Sequence, residues 1–211
     1  MSNSGNSFWD TSWEQIDQNR LSQYIKGFDH APDSIILQLR TRNAKTVCDA
    51  GCGCGIYSLK LAANGFQVSG FDISAHAAEI TRNLLEQASF SGEFKAASVC
   101  STGYPDSRFD AVVSRDVLDH IPKLDALQAI RELYRITKPG GILIFTLDAL
   151  DAEYETEPHI VNENGDYLFT GGKWKGMVFY PYSEAEIIDM VPEAVIQKED
   201  SGEMIVKLVK Q

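Results

Sequence analysis

The chain has 211 residues, enough for one domain with a full hydrophobic core, and 44% of them are hydrophobic, as is usual for a globular protein. Thirty acidic and nineteen basic residues give a net charge of −11, which repels a phosphate backbone, so we expect no nucleic-acid partner. No run of about eighteen apolar residues occurs, and the first ten residues have neither a basic nor an apolar region. We therefore expect no membrane span and no signal peptide.

The four cysteines follow neither a metal-binding nor a disulfide pattern. Cys48, Cys52 and Cys54 are spaced C-x-x-x-C-x-C and Cys100 is distant, whereas zinc sites use C-x-x-C pairs or added histidines. A disulfide among the first three would distort the glycine-rich turn in which they lie. We therefore predict reduced thiols, no metal site and a cytoplasmic location.

Two helices are predicted before the first strand. Residues 1–8 are expected to be disordered. Apolar residues then recur at helical spacing from Phe8 to about Gly27, and Pro32, which suits a first helical position, precedes a second amphipathic stretch. Three aromatic residues of the first helix either contact a ligand or pack the helix onto the sheet: Trp9, Trp13 and Tyr24.

A glycine-rich turn between a strand and a helix is the clearest feature of the sequence. Thr46–Cys48 suits a short buried strand, Asp49 ends it, and a helical pattern begins at Ile56. Three alternating glycines fill the turn: Gly51, Gly53 and Gly55. Because glycines beside a helix N-terminus let the backbone approach a ligand closely, the sequence predicts a binding site here.

The spacing of these glycines distinguishes two kinds of nucleotide site. A dinucleotide-binding turn reads G-x-G-x-x-G, and the third glycine of that pattern falls here on Ile56 or Ser58, so the pattern fails. The pattern that fits is D-x-G-x-G-x-G, from Asp49 to Gly55. In this the chain resembles the class I S-adenosylmethionine-dependent methyltransferases, whose first motif has this form.

Two later stretches strengthen the resemblance. R-F-D-A-V-V-S-R-D-V-L-D-H-I-P, which begins at Arg108, and L-Y-R-I-T-K-P-G-G-I-L-I-F-T, which begins at Leu133, are similar to further motifs of the family. The motifs cover residues 44–147, and residues 183–210 fit by pattern only. The resemblance implies S-adenosyl-L-methionine as the cofactor and S-adenosyl-L-homocysteine as the product.

Buried strands that alternate with helices predict an α/β fold with a doubly wound, Rossmann-like sheet that is mostly parallel. The family adds an antiparallel last strand, and the patterns at Ala194–Lys198 and Glu203–Val209, after a helix capped by Ser183, suit a closing hairpin. We expect one methyltransferase domain over residues 1–211. Its parts are an N-terminal helical cap, a cofactor-binding core, a lid insertion with a β-hairpin, and a C-terminal helix with closing strands (8–43, 44–147, 148–182 and 183–211).

An acid follows the second predicted strand. Asp72 stands at the end of Phe66–Phe71, about twenty residues after the glycine turn. A carboxylate at that place accepts hydrogen bonds from both ribose hydroxyls or caps the next helix, for which Ser74 is already available. In the family the residue at this motif position is the ribose acid, and Ile73 would then lie against the adenine ring.

One position departs from the family pattern. The third strand is predicted at Glu93–Ala97, and the family usually carries an acid after it, which bonds the adenine amino group. Here Ser98 stands at that position, followed by Val99. Because a hydroxyl accepts such a bond more weakly than a carboxylate, we expect adenine recognition to depend also on the backbone and on apolar packing around Val99.

Polar residues end the fourth predicted strand. Ser114 and Arg115 are expected to bind the cofactor, because ligands of open α/β sheets bind at the carboxyl ends of strands, although Arg115 could instead face the acceptor.

No strong nucleophile occurs, as expected when the donor carries its own reactive methyl group and the protein mainly aligns donor and acceptor. A histidine like His120 is usually structural in the family. The candidates for a general base are His120, Asp116 and His159.

Residues 148–182 interrupt the alternation of strands and helices. Seven acids and no lysine or arginine lie between Asp148 and Asp166, and a β-hairpin is predicted to turn at Gly171–Gly172. An insertion here suits a lid over the site, with Trp174 and Tyr180 as candidate acceptor contacts, and its acids favour a cationic or amine-bearing acceptor. A solvated loop is the alternative.

The sequence thus predicts a methyltransferase that moves a methyl group to a small-molecule acceptor by proximity and alignment. Two alternatives stay open. One is a regulatory module that binds S-adenosylmethionine without catalysis, to which Ser98 gives some weight. The other is an NAD-dependent oxidoreductase, against which the glycine spacing argues.

Overall fold

The computed structural model describes residues 4–16, 29 and 31–211, with side chains from Phe8 onward. Its helices are α1 (Ser4–Glu14), α2 (Ser34–Thr41), α3 (Ile56–Ala63), α4 (Ala75–Gln87), α5 (Lys123–Ile136), α6 (Ala152–Thr156) and α7 (Glu184–Met190). Its strands are β1 (Thr46–Ala50), β2 (Gln67–Asp72), β3 (Phe94–Ala96), β4 (Phe109–Ser114), β5 (Thr137–Leu147), β6 (His159–Val161), β7 (Tyr167–Phe169), β8 (Val178–Phe179), β9 (Val195–Lys198) and β10 (Met204–Val209).

Seven strands form the main sheet, in the order β3-β2-β1-β4-β5-β10-β9. Strands β1 to β5 pair in parallel, and β10 runs antiparallel to both of its neighbours, β5 and β9. The order reverses between β1 and β4, as in a doubly wound sheet, where such a reversal opens a crevice at the carboxyl ends of the strands. The predicted Rossmann-like α/β fold with an antiparallel last strand is confirmed.

Alternating side chains of β5 divide the core into two layers. Ile142 and Ile144 pack on one face with apolar residues of α2, α3 and α4, while Leu143 and Phe145 pack on the other with α5 and α7. All four side chains are fully buried. A strand covered on both faces needs the continuous apolar run that the sequence shows here.

The first helix differs from the prediction. α1 begins at Ser4, so Ser4–Phe8 is helical rather than disordered, and the helix ends at Glu14. Its start is stabilised by Phe8, whose ring lies 6.5 Å from that of Trp174. A contact between segments so distant in the chain leaves no local sequence signal. The predicted continuation toward Gly27 falls largely outside the described residues.

Two other boundaries are displaced for local reasons. α2 begins at Ser34 rather than Pro32, because Asp33 caps it by accepting a bond from the N–H of Ile36 (2.9 Å). β5 begins at Thr137 rather than Ile142, because the chain already pairs with Phe109 there, and an irregularity in the pairing absorbs the proline and glycines before the register resumes at Ile142.

The insertion carries more structure than a hairpin. The predicted hairpin is present as β7 and β8, with Gly171–Gly172 in its loop, and β6 adds a third antiparallel strand beside β7. β6 has only three residues, too few for an alternating pattern to appear in the sequence. A separate apolar cluster holds these strands together: Tyr154, Phe169, Met177 and Phe179, with Phe8, Trp9, Leu150, Tyr167 and Trp174 beside them.

The C-terminal region follows the prediction closely. Ser183 and Glu186 form a reciprocal capping box at the start of α7. β9 and β10 form the closing hairpin, and β10 fills the position between β5 and β9. Within the described ranges, no helix is long and apolar enough to cross a membrane.

Candidate functional site

A large concavity lies at the carboxyl ends of the parallel strands. This central cavity has a volume of about 770 Å³. Gly51, Asp72, Ser98 and Asp116, which follow or end β1, β2, β3 and β4, all line it. Its position is the crevice that the reversal of strand order creates, and its volume is that of a site for a small organic ligand.

The glycine turn is folded against the end of β2. The N–H groups of Gly51 and Cys52 donate to the carbonyl oxygen of Phe71 (2.8 and 3.0 Å). Gly51, Gly53 and Gly55 all have positive φ angles of 81°, 52° and 84°, which residues with a side chain rarely adopt. A Cβ atom on Gly51 would also lie 2.3 Å from Cγ2 of Val117, so this position has no room for one.

Asp72 presents a fixed carboxylate to the cavity. The N–H of Gly53 donates to one of its oxygens and the N–H of Ser74 to the other, each at 2.9 Å. Ser74 also caps α4, as predicted. Burial raises the pKa of Asp72, and the two backbone bonds oppose that rise. Each oxygen keeps a lone pair, so the carboxylate can still accept hydrogen bonds from a ligand.

Three other predicted cofactor residues lie behind the cavity wall. Asp49 is buried and accepts a hydrogen bond from the Ser58 hydroxyl of α3 (2.5 Å). Burial raises its pKa to about 6, against the effect of that bond. Ser114 is buried and donates to the carbonyl oxygen of Ala50 (3.1 Å). The Arg115 guanidinium stacks on the ring of Tyr57 at 4.7 Å. None of the three lines the cavity.

Two of the three turn glycines also lie outside the cavity lining. Gly53 and Gly55 are covered: a Cβ on Gly53 would lie 3.0 Å from the Trp13 ring, and one on Gly55 2.9 Å from Thr81. Gly53 instead acts on the cavity through its N–H, which holds Asp72. These two glycines therefore allow close packing of the turn rather than contact with a ligand.

The predicted adenine-binding residues do line the cavity. Ile73, Ser98 and Val99 stand on its wall beside Phe71. The Ser98 hydroxyl accepts a bond from the N–H of Cys100 (3.2 Å), so part of its accepting capacity is used within its own loop. A ligand amino group at this place would find one weak acceptor and apolar surface.

Helix α1 covers the cavity with two tryptophans. Trp9 and Trp13 both line it, and their rings stack with centroids 6.0 Å apart. Trp13 rests on Gly53, and Trp9 meets the ring of His120 edge to face at 5.3 Å. Two of the three aromatic residues predicted on the first helix therefore reach the cavity, and the third, Tyr24, lies outside the described residues.

The aromatic residues predicted on the insertion serve packing instead. The Trp174 ring meets the Tyr154 ring edge to face, with centroids 5.7 Å apart, within the apolar cluster of the insertion. The hydroxyl of Tyr180 bonds Lys123 and Glu186. Neither residue lines the cavity: Trp174 is half-buried against the apolar cluster of the insertion, and Tyr180 is buried in the core beside α5 and α7.

Two of the three candidate bases face the cavity. Asp116 has a positive φ of 55°, and its Oδ1 accepts a bond from the Thr146 hydroxyl (2.6 Å). His120 lies among aromatic rings, its Nδ1 is 3.3 Å from the carbonyl oxygen of Val178, and burial lowers its pKa. The third candidate, His159, bonds the carbonyl oxygen of Glu157 (2.8 Å) and lies outside the cavity lining.

Several cavity residues were not predicted. They come from the start of α5 and from the insertion: Ile121, Pro122, Leu124, Asp125, Gln128, Asn162, Asn164, Asp166, Leu168 and Val178. Those near the start of α5 follow β4, so the rule that ligands bind beyond the carboxyl ends of strands could have indicated them. Those of the insertion reach the cavity only through tertiary packing. No lysine or arginine lines the cavity in the part of the chain that the structure describes.

Comparison with known sequences gives a family for the core of the chain. Residues 48–145 match the protein family described as "Methyltransferase domain". The chain is also 32% identical over 111 residues to the ubiquinone biosynthesis O-methyltransferase of Coxiella burnetii, a segment that covers 53% of this chain and 47% of that protein. The chain thus matches about half the length of such curated relatives.

Solved structures share the fold over most of the chain. An S-adenosylmethionine-dependent methyltransferase of Methanosarcina mazei is 22% identical, with a TM-score of 0.69 over 85% of this chain and 98% of that one. The 1,6-didemethyltoxoflavin-N1-methyltransferase of Burkholderia thailandensis is 17% identical, with a TM-score of 0.64 over 92% and 86%. At these identities the likeness shows the fold alone.

Proposed function

We propose that this chain is a class I S-adenosylmethionine-dependent methyltransferase and that it methylates a small organic acceptor bound in the central cavity, a proposal that the match of residues 48–145 to the family described as "Methyltransferase domain" supports. S-adenosylmethionine supplies an activated methyl group, so the task left to the protein is to bind donor and acceptor in line and to exclude water.

The observation that carries the proposal is the placement of Asp72. Its carboxylate is fixed by the N–H groups of Gly53 and Ser74 and faces the cavity beside Gly51, where no Cβ fits. A fixed carboxylate of this kind suits a pair of ribose hydroxyls, and a turn without side chains admits the backbone close to the ligand. The residues present therefore fit the cofactor.

The adenine would lie on the wall beyond Asp72. Ile73 and Val99 offer apolar contact for the ring, and Ser98 offers a hydroxyl for its amino group. Asp49 and Arg115 act indirectly in this proposal, because they lie behind the wall and hold the turn and α3 in place.

We propose an aromatic acceptor that is neutral or cationic. Trp9 and His120 provide flat walls for a ring, and Gln128 and Asn164 provide hydrogen-bonding groups. Carboxylates line the part of the cavity beside Trp9 and His120, and no lysine or arginine of the described chain lines the cavity. An anionic acceptor is therefore disfavoured. The Coxiella relative, an O-methyltransferase, supports oxygen as a target atom.

Asp116 is the proposed proton acceptor for an acceptor that must lose a proton. Its left-handed backbone and its bond from Thr146 fix the carboxylate at the cavity wall. His120 is less suited, because burial among rings lowers its pKa and so weakens it as a base.

We further propose that residues 148–182 act as a lid. Asn164, Leu168 and Val178 of this segment line the cavity. The segment is joined to the core at Asp166, which accepts a bond from the N–H of Lys123 at the start of α5 (2.8 Å). A cover built in this way excludes water from the methyl transfer.

Calorimetric titration with S-adenosylhomocysteine, in parallel with NAD, tests the cofactor assignment. We expect wild type to bind S-adenosylhomocysteine and Asp72→Ala to lose about a hundredfold in affinity, because two charge-assisted hydrogen bonds are removed. Asp72→Asn keeps the size of the side chain and should also bind weakly. Asp189→Ala removes an exposed acid of α7 and should bind as wild type does.

Two outcomes would contradict this assignment. Tight NAD binding would favour an oxidoreductase, and equal affinity of wild type and Asp72→Ala would remove the ribose acid from the site. The regulatory alternative, which Ser98 favours, is tested separately. Release of S-adenosylhomocysteine from S-adenosylmethionine with any acceptor in a panel of aromatic alcohols and amines would exclude it.

A further inference from the structure

Three potential metal ligands meet beside the cavity. Asp119 and His120 follow β4, Asp148 follows β5, and these two strands are parallel neighbours in the sheet. One ligand atom from each of the three side chains lies within 4.8 Å of the others. His120 also lines the central cavity. The three side chains therefore lie at the edge of the region where the methyl acceptor is proposed to bind.

One carboxylate oxygen in this group has no partner. Asp119 is completely buried, and its Oδ2 accepts a bond from the N–H of Asp148 (2.7 Å). Its Oδ1 is also buried, and no described residue bonds it. A buried carboxylate oxygen without a partner is strongly destabilising, so this position calls for a ligand or a proton.

The two carboxylates of this group have no lysine or arginine partner in the part of the chain that the structure describes. Among the described residues, neither Asp119 nor Asp148 forms a salt bridge with a lysine or arginine. Two neighbouring carboxylates without a basic partner form a site where a bound cation is stabilised.

We propose that Asp119, His120 and Asp148 bind one divalent transition-metal ion of the manganese, iron or zinc class. Two carboxylates with one imidazole suit these ions better than magnesium or calcium, which prefer oxygen ligands alone. The contact of His120 Nδ1 with the carbonyl oxygen of Val178 leaves Nε2 for the metal, and such a second bond is the usual way in which a ligand histidine is oriented.

The site requires a small movement of side chains. Metal bonds of about 2.0–2.2 Å place neighbouring ligand atoms roughly 3 to 3.5 Å apart, somewhat closer than the present limit of 4.8 Å. A cation held there would lie within reach of an acceptor beside His120 and would lower the pKa of a hydroxyl that binds it. This inference goes beyond the proposed function, and it does not depend on methyl transfer.

Calorimetry with the metal alone tests the site. The full chain is freed of metal with a chelator and titrated with Mn²⁺ and with Zn²⁺ in the absence of S-adenosylmethionine. We expect one equivalent to bind wild type, and Asp119→Asn and Asp148→Asn to lose at least about tenfold in affinity. Glu155→Gln, which changes an exposed carboxylate of α6, should bind metal as wild type does. Metal should raise the melting temperature of wild type but not of Asp119→Asn.

S-adenosylhomocysteine binding by each variant shows that it is folded. Absence of saturable metal binding by wild type would overturn the proposal, and so would equal metal affinity of wild type and Asp119→Asn. A shared proton between Asp119 and Asp148 would then explain the buried oxygen. That explanation predicts that Asp119→Asn is more stable than wild type at neutral pH without metal.

Discussion

At positions with a positive φ angle, this chain requires glycine for two different reasons. Gly51 and Gly65 have nearly the same backbone angle, 81° and 90°. A Cβ on Gly51 would collide with Val117 at 2.3 Å, whereas a Cβ on Gly65 would meet nothing within 4 Å. Gly51 is therefore required by both conformation and space, and Gly65 by conformation alone.

This difference predicts unequal effects of alanine. Gly65→Ala should lower the free energy of unfolding by about 1 kcal/mol, the strain of a left-handed residue, and leave S-adenosylhomocysteine affinity unchanged. Gly51→Ala should lower it by roughly 2–4 kcal/mol, because the clash adds to the strain, and should abolish S-adenosylhomocysteine binding. Urea unfolding and calorimetry measure the two effects. Equal losses of stability would mean that the Val117 side chain simply moves aside.

The residue types of the motif were enough to locate the ligand-binding turn. They did not show which of its residues face the cavity and which are buried behind its wall. The D-x-G-x-G-x-G spacing predicted a ligand-binding turn, and Gly51 does line the cavity. Asp49 matched the same motif, yet it is buried against Ser58. Whether a side chain faces the ligand or the sheet depends on how α3 packs on β1, which the motif does not encode.

At the scale of elements, two tryptophans that were both predicted to contact a ligand have different surroundings. Trp13 of α1 lines the cavity and rests on Gly53. Trp174 of the insertion is enclosed by Tyr154 and Phe8 and lies outside the cavity. The two residues form a matched pair, because either substitution by alanine removes one indole ring.

Trp13→Ala should therefore weaken S-adenosylhomocysteine binding by about tenfold, because the indole ring that covers the cavity and contacts the glycine turn is lost. Trp174→Ala should change that affinity less than twofold while lowering the free energy of unfolding by roughly 3 kcal/mol. Calorimetry and urea unfolding of both variants supply the comparison. A greater loss of affinity in Trp174→Ala would show that the insertion, not α1, controls the site.

Elements with a strong period were predictable, and those held by distant contacts were not. α4 and α5 repeat apolar residues on one face, so their place in the sequence was evident. The start of α1 and strand β6 depend on packing around the apolar cluster that holds β6, β7 and β8 together. Short elements have too few residues for a period to emerge.

For the molecule as a whole, the net charge of −11 and the acids of the cavity act in the same direction. With S-adenosylhomocysteine bound, we expect the aromatic amine tyramine to bind about fivefold more tightly than its carboxylate analogue 4-hydroxyphenylacetate. Quenching of tryptophan fluorescence measures both, because Trp9 and Trp13 line the cavity. The difference should shrink in about 0.5 M salt, where charges are screened. Tighter binding of the carboxylate would reverse the proposed preference of the acceptor site.

The sequence by itself determined the alternation of strands and helices, the glycine turn and the acid after β2, and through them the class of fold and donor. These are local patterns, set by periodicity and by spacing within one strand–turn–helix unit. Only the tertiary structure decided that Trp9 and Trp13 roof the cavity, that Trp174 and Tyr180 do not reach it, and that Asp119, His120 and Asp148 meet. These arrangements join residues from different elements, and the packing of those elements against one another sets the distances between them.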